Sequence, residues 1–289
     1  MLLRIAPWLF VLLWSTGYIA MKAAVPFAEP LTFLGIRFAL VASVMLLCAP
    51  WLRPDKLPAA DWLRASVVGT CLHAIYLGGI MIAIDRGVPA GVAALIIALQ
   101  PLLMALCAGP VLGEKVHLRH WGGLIVGLAG LALVLMPKFG HAAAWAGDLY
   151  ALTAAILSVL ALTFGTLYQK ARASHIDVRA GLLPQYIAAA VVSGLWAWMF
   201  ETRVVNWTPE LIGALAWLVG VLSIGAISLF LLLLRENAAW RTSALFYLIP
   251  PVTAATAWIM FGEKMSLIQL LGMTLVMAAV FVVRPGGRS

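Results

Sequence analysis

Charge is what this 289-residue chain has least of: Asp, Glu, Lys and Arg together make up 10% of it. Hydrophobic residues make up 64% and the mean hydropathy is +1.04, a balance that excludes a soluble globular domain. Long polar stretches are missing too. No gap between apolar runs exceeds about 14 residues, which leaves no room for a separate catalytic or ligand-binding domain. Cysteine is scarce and unpatterned. Cys48, Cys71 and Cys107 show no CxxC or Cys/His spacing and fall within apolar runs, so they read as small core residues, with no metal site or disulfide framework. The chain has no HExxH, GxSxG, P-loop or paired Asp within a span, which argues against an intramembrane enzyme.

Acidic side chains are missing where a cation exchanger would need them. All eleven, Glu114 and Glu263 among them, fall in loops or at the ends of apolar runs. An exchanger of cationic drugs for protons normally holds both on an intramembrane carboxylate, so that mechanism is disfavoured. The formal charge of +8 does not point to nucleic acid, because the basic residues come in ones, twos and threes between apolar runs rather than in one patch.

What the chain does have is apolar runs of spanning length. Cutting at charges, Pro and Gly gives ten: Ile5 to Met21, Leu31 to Trp51, Trp62 to Ile84, Pro89 to Leu112, Trp121 to Met136, Asp148 to Tyr168, Leu182 to Phe200, Leu211 to Leu234, Thr242 to Phe261 and Leu267 to Val283. Arg4 before the first run gives it the look of a signal peptide, but the internal repeat argues that it is retained. If the runs alternate across a bilayer, 13 Lys and Arg lie on one side and 5 on the other, which predicts cytoplasmic termini.

The halves resemble each other at a period near 149 residues. Gln100-Pro101 followed by Leu112-Gly113-Glu114-Lys115 recurs as Ile249-Pro250 followed by Phe261-Gly262-Glu263-Lys264, and Ser15, Gly17 and Lys22 are matched by Thr163, Gly165 and Lys170. Five spans per unit make the second unit enter the membrane in the opposite sense. The expected organisation is therefore an all-α membrane protein of ten transmembrane helices in two inverted five-helix repeats, 1–137 and 148–289, joined by a linker at 138–147.

Ten spans in a doubled pattern, each unit with a Pro in its fourth span and a Gly-Glu just after it, resemble the drug/metabolite transporter superfamily and, within it, the EamA-type transporters. The resemblance covers nearly the whole chain. It implies an alternating-access carrier of the bacterial inner membrane, often an exporter of amino acids or related compounds.

Candidate pathway residues are those that place polarity or a helix break at mid-depth. Pro101 and the Pro250-Pro251 pair break the fourth and ninth spans, and freed carbonyls there would serve a transport site, with Gln100 beside the first break. Ser66, Thr70, His73 and Tyr76 share one face of the third span, with His73 at its midpoint facing a cavity or a bonding partner. Trp14 and Tyr18 share a face of the first span, and Ser158, Ser223 and Tyr247 lie near the middles of the sixth, eighth and ninth. Arg37 lies six residues into the second span. A snorkelling cation is the favoured reading, and a bidentate contact to a substrate carboxylate is the other. Glu114 and Glu263, each beside a Lys, read as turn or gate residues. Gly123 and Gly127 in the fifth span read as peripheral packing or a protomer contact.

The functional expectation is export of amino acids, large apolar or aromatic ones included, or of related small neutral metabolites, by uncoupled facilitated diffusion or exchange. A proton-coupled drug/metabolite exporter is the alternative, with an intramembrane enzyme or a passive channel further behind. No cofactor or metal is expected. The expected partners are a small-molecule substrate and the lipid bilayer, with no nucleic acid, in a monomer or weak homo-oligomer. The charge count and the odd span number together predict that a cysteine replacing Lys115 is shielded from an impermeant maleimide applied to intact cells. A cysteine replacing Lys264 is labelled. Equal labelling of both contradicts the topology.

Overall fold

A computed structural model describes residues 2–88, 90–136, 148–261 and 266–283, and among these the protein is all helix apart from loops and one isolated bridge between Ala28 and Val205. In hydrocarbon every backbone N–H and C=O must be satisfied within the chain, and the helix does this segment by segment. Ten helical columns result. They are α1 (Leu2–Ala24), α2 (Pro30–Leu52), α3 (Ala59–Asp85), α4 (Ala90–Ile97 and Gln100–Leu112), α5 (Leu118–Leu135), α6 (Leu149–Arg172), α7 (Val178–Phe200), α8 (Pro209–Glu236), α9 (Ala239–Ala244, a 3-10 turn Leu245–Leu248, then Ile249–Phe261) and α10 (Leu267–Val283). Seven of them, α2 to α8, are long and apolar enough to cross a membrane. The outward faces carry large apolar side chains, with Trp51 80% and Leu118 86% exposed, as a lipid-facing surface requires.

Local chemistry sets the ends. Asp148 accepts the Ala151 amide at 2.9 Å and starts α6, and Thr208 accepts the Leu211 amide at 3.3 Å and starts α8. Gly113 stops α4 because only glycine readily adopts its φ of +69°. Its amide reaches the Gly109 carbonyl, and the next amide, that of Glu114, returns to the Ala108 carbonyl. The α2 N-terminus is capped from elsewhere: the Glu201 carboxylate accepts the Leu31 and Thr32 amides at 2.7 and 2.6 Å and the Thr32 hydroxyl at 2.7 Å.

The two halves are interlocked. The first helix of one half packs on the third and fourth columns of the other: α1 lies against α8 and α9, and α6 lies against α3 and α4. Between them α2 packs along α7, and α5 packs along α10. Two helices contain a π-helical segment. Thr70–Ile75 of α3 and Leu218–Ala226 of α8 are π-helical, and they begin 148 positions apart. The widened turn in α3 follows Gly69, where any Cβ would collide with the Gln185 backbone of α7. Such turns widen the helix by one residue and are frequent at functional sites.

Gly127 and Gly130 of α5 serve contacts within the chain. A Cβ at Gly127 would lie 2.6 Å from the Tyr247 ring, and one at Gly130 would lie 2.9 Å from the Gly272 carbonyl of α10. Gly130→Val therefore forces the α5–α10 crossing apart. It is expected to destabilise by about 1–3 kcal/mol, seen as a lowered melting temperature of the detergent-solubilised protein, whereas Gly122→Ala, with open space around it, leaves the transition unchanged.

Candidate functional site

The site is built where the two π segments face α2 and α7. Arg37 enters from α2, about 10 Å from the helix start by helical rise, and is 5% exposed. It therefore does not snorkel, and the expectation favoured from sequence is corrected: α7 and α8 cover the face of α2 that carries it. Its Nε donates to the Ser223 hydroxyl at 3.1 Å, and the guanidinium carbon lies 5.8 Å from the centre of the Phe38 ring. Tyr186 of α7 donates its hydroxyl to the Ser223 carbonyl at 2.6 Å. One residue in the second π segment thus holds both a cation and a phenol.

His73, in the first π segment, is 1% exposed and stacks on Tyr186 with ring centres 4.4 Å apart and planes 12° from parallel. Among the described residues, neither its Nε2 nor the Oε1 of nearby Gln185 has a hydrogen-bond partner. Phe38 closes the group at 5.9 Å from each ring. Beside this cluster lies a cavity of about 50 Å³ lined by Trp14, Gly17 and Met21 of α1, Arg37 of α2, five residues of α3 from Leu72 to Ile80, Tyr186 of α7, and Leu218, Leu222 and Ile227 of α8. That volume holds a few waters and is well below a full ligand pocket. Its walls are apolar and aromatic, its polar groups are Arg37, His73 and the Tyr hydroxyls, and among the described residues no carboxylate lines it. Trp14 joins it to an aromatic cluster with Phe10, Phe230 and Phe246.

One end of the bundle is tied by hydrogen bonds around the turn between α8 and α9. Both carboxylate oxygens of Glu114 accept the Ala239 amide, at 2.9 and 3.0 Å, and Lys170 donates to the Leu234, Asn237 and Arg235 carbonyls at 2.7 to 3.0 Å. Asp61 binds Arg64 and His175 on the same side. At the other end Glu29 accepts from the Thr202 hydroxyl and the Arg203 amide, both at 2.8 Å. Burial pushes the Glu29 carboxyl up, but the Thr202 and Arg203 bonds and the Arg203 charge outweigh it, and its pKa falls below the usual value.

This fold is shared with proteins of known sequence and structure. The EamA-like transporter family matches residues 5–136 and again 146–284. The chain belongs to that family. It is 30% identical over 280 residues to the inner membrane transporter YedA of Escherichia coli strain K12, covering 95% of this chain and 88% of that one. It is 28% identical to the transporter YvbV of Bacillus subtilis strain 168, over 94% of this chain and 88% of that one. A protein of Escherichia coli strain K12 named a probable amino-acid metabolite efflux pump is 23% identical, over 95% and 92%. A solved crystal structure superposes with a TM-score of 0.79 at 19% identity, over 97% of this chain and 96% of that one, which shows the fold. This EamA-family protein is an all-α membrane transporter.

Of the residues singled out from sequence, Trp14, Arg37, His73 and Tyr76 line the cavity, and Ser223 supports it from behind. Others lie elsewhere. Gln100 donates to Ser243 at 3.0 Å, Ser158 donates to the Tyr76 carbonyl at 2.8 Å, and Tyr247 packs on Gly127. Pro101, Pro250 and Pro251 lie off the cavity lining. The carbonyl that Pro250 leaves without its usual donor, that of Phe246, accepts from the Ile249 amide in the 3-10 turn. That break is thus satisfied within its own helix. Glu263 and the Tyr18 side chain lie outside the described residues. Tyr186 and Gln185 were missed; their signal was an adjacent polar pair at the fourth and fifth residues of the seventh apolar run.

Tyr186→Phe removes the buried hydrogen bond from the phenol to the Ser223 carbonyl. The loss is about 0.5–1.5 kcal/mol, read as a lower melting temperature of the solubilised protein. Tyr150→Phe, on an exposed ring, leaves it unchanged.

Proposed function

We propose that this protein is an alternating-access carrier of the bacterial inner membrane that exports amino acids, large apolar or aromatic ones included, or related small metabolites, without obligatory coupling to an ion. The observation that carries the reading is a cavity lined by helices of both halves, apolar and aromatic in its walls, with Arg37 and His73 as its ionisable groups besides phenols and, among the described residues, no acidic side chain. Apolar walls with a few placed polar groups suit a small molecule with an apolar tail and a polar head. The inner-membrane relative and the relative named an amino-acid metabolite efflux pump support the same reading.

The proposed architecture is ten crossings in two inverted repeats, 1–137 and 148–289, with both termini cytoplasmic. It is supported by the two matches of one family, the π segments 148 positions apart, and the exchanged packing of α1 and α6. Trp14, Tyr76 and the leucines of α3 and α8 form the apolar wall. Gln100, Pro101, Ser158, Tyr247, Pro250 and Pro251 hold the helices that move. Glu114 ties the cytoplasmic end in the state described here, and Glu263 occupies the equivalent position in the second repeat.

Counterflow in liposomes tests the carrier: preloaded unlabelled L-phenylalanine is expected to drive transient accumulation of labelled L-phenylalanine, whereas a channel only equilibrates it. A pH or sodium gradient imposed without a substrate gradient is expected to give no accumulation. Accumulation dissipated by the matching ionophore contradicts the uncoupled mechanism and makes His73, the one cavity group whose type titrates near neutrality, the coupling residue.

A further inference from the structure

Arg37 is a charge without a counter-charge. Among the described residues no carboxylate pairs with it, and its one side-chain hydrogen bond goes to the neutral Ser223 hydroxyl through Nε. The acids nearest the start of α2 are committed elsewhere: Glu29 to Thr202 and Arg203, and Glu201 to the Leu31 and Thr32 amides. Burying an ion costs several kcal/mol unless something pairs with it, and an intramembrane charge that persists does so for a function. With Nε occupied, the Nη edge of the fork is the part of the guanidinium left to face the cavity that Arg37 lines. A carboxylate accepts two parallel bonds from such an edge.

We infer that the missing counter-ion is the carboxylate of the transported molecule, bound by the Nη edge of Arg37, and that the cavity holds no site for an α-ammonium. An ammonium would share the cavity with a guanidinium and, among the described residues, meet no acidic side chain. The substrate class is therefore small amphipathic carboxylates with apolar or aromatic tails, in which the amine is dispensable. Deaminated acids bind as well as the amino acids they resemble. The cavity of about 50 Å³ accommodates the carboxylate end. The tail requires α1, α3 and α8 to part along Leu72, Leu77, Leu218 and Leu222. This deepens the transporter reading and rests on it only for the movement of the bound acid.

The experiment is calorimetric titration of the purified full-length protein with three probes that share one tail: 3-phenylpropanoate, L-phenylalanine and 2-phenylethylamine. The two carboxylates are expected to bind within about threefold of each other and the amine at least about tenfold more weakly. Arg37→Gln weakens both carboxylates at least about tenfold, and Arg37→Lys, which keeps the charge and loses the fork, weakens them by about threefold or more. Equal binding of the amine, unchanged binding in either variant, or no binding of any probe overturns the inference. If Arg37→Gln does not fold, the probe series on the wild type and the Lys variant decide it. Uptake of labelled 3-phenylpropanoate into liposomes separates the two claims. Binding without uptake contradicts the carrier and leaves the carboxylate site standing, whereas uptake that favours the amine contradicts the site and leaves the carrier standing.

Discussion

A guanidinium held in hydrocarbon constrains everything around it. Arg37 lies deep and 5% exposed, so the protein surrounds it with what neutral chemistry offers: the Ser223 hydroxyl, the face of Phe38, and a cavity. Each of these requires the others. Ser223 is positioned because its carbonyl is held by Tyr186, and Tyr186 is held flat against His73. Removing a partner from such a chain leaves the next polar group buried and unsatisfied, which costs more than the bond itself was worth.

The fold supplies this constellation from both halves of the chain. His73 and Ser223 sit in π-helical segments of α3 and α8 that begin 148 positions apart, and α2 and α7 pack along each other between them. A π turn is a costly irregularity, tolerated where packing imposes it. In α3 the segment begins just after Gly69, which lets the helix touch the α7 backbone at Gln185. Away from the site the same economy of size recurs: Gly130 and Gly272 bring α5 and α10 together, and the hydrogen-bonded ties of Glu114 and Lys170 close one end of the bundle. The proposed carrier would use such discrete ties, because alternating access exchanges one set of contacts for another.

Most of the architecture was legible because lipid imposes a simple code on sequence: runs of about 20 apolar residues, punctuated by charge. The doubled Pro and Gly-Glu pattern carried the family. The site was less legible. The depth of Arg37 could be counted along the chain, but whether lipid or protein covers that face depends on how α2 packs on α7 and α8, which no local pattern encodes. Gln100 was read as a pocket residue because it is polar and central, yet its partner is Ser243, 143 positions away. The proline breaks were read as sources of free carbonyls, and at Pro250 the 3-10 turn takes up the freed group. Tyr186 escaped notice because a tyrosine in an apolar run is compatible with plain packing. Its role depends on the π turn opposite it, and that turn arises from helix contact rather than from any residue preference.

The central claim is that Arg37 waits for a carboxylate. Supplying one from within the protein tests it most directly, and position 223, whose hydroxyl already accepts from Arg37 Nε, is where to supply it. The measurement is the shift in melting temperature of the solubilised protein on adding 3-phenylpropanoate, compared between wild type and Ser223→Asp. The account predicts that the wild type is stabilised by the added acid, and that the Asp variant melts at least as high as the unliganded wild type and no longer responds. A variant that melts lower than wild type and still responds to the acid would contradict it.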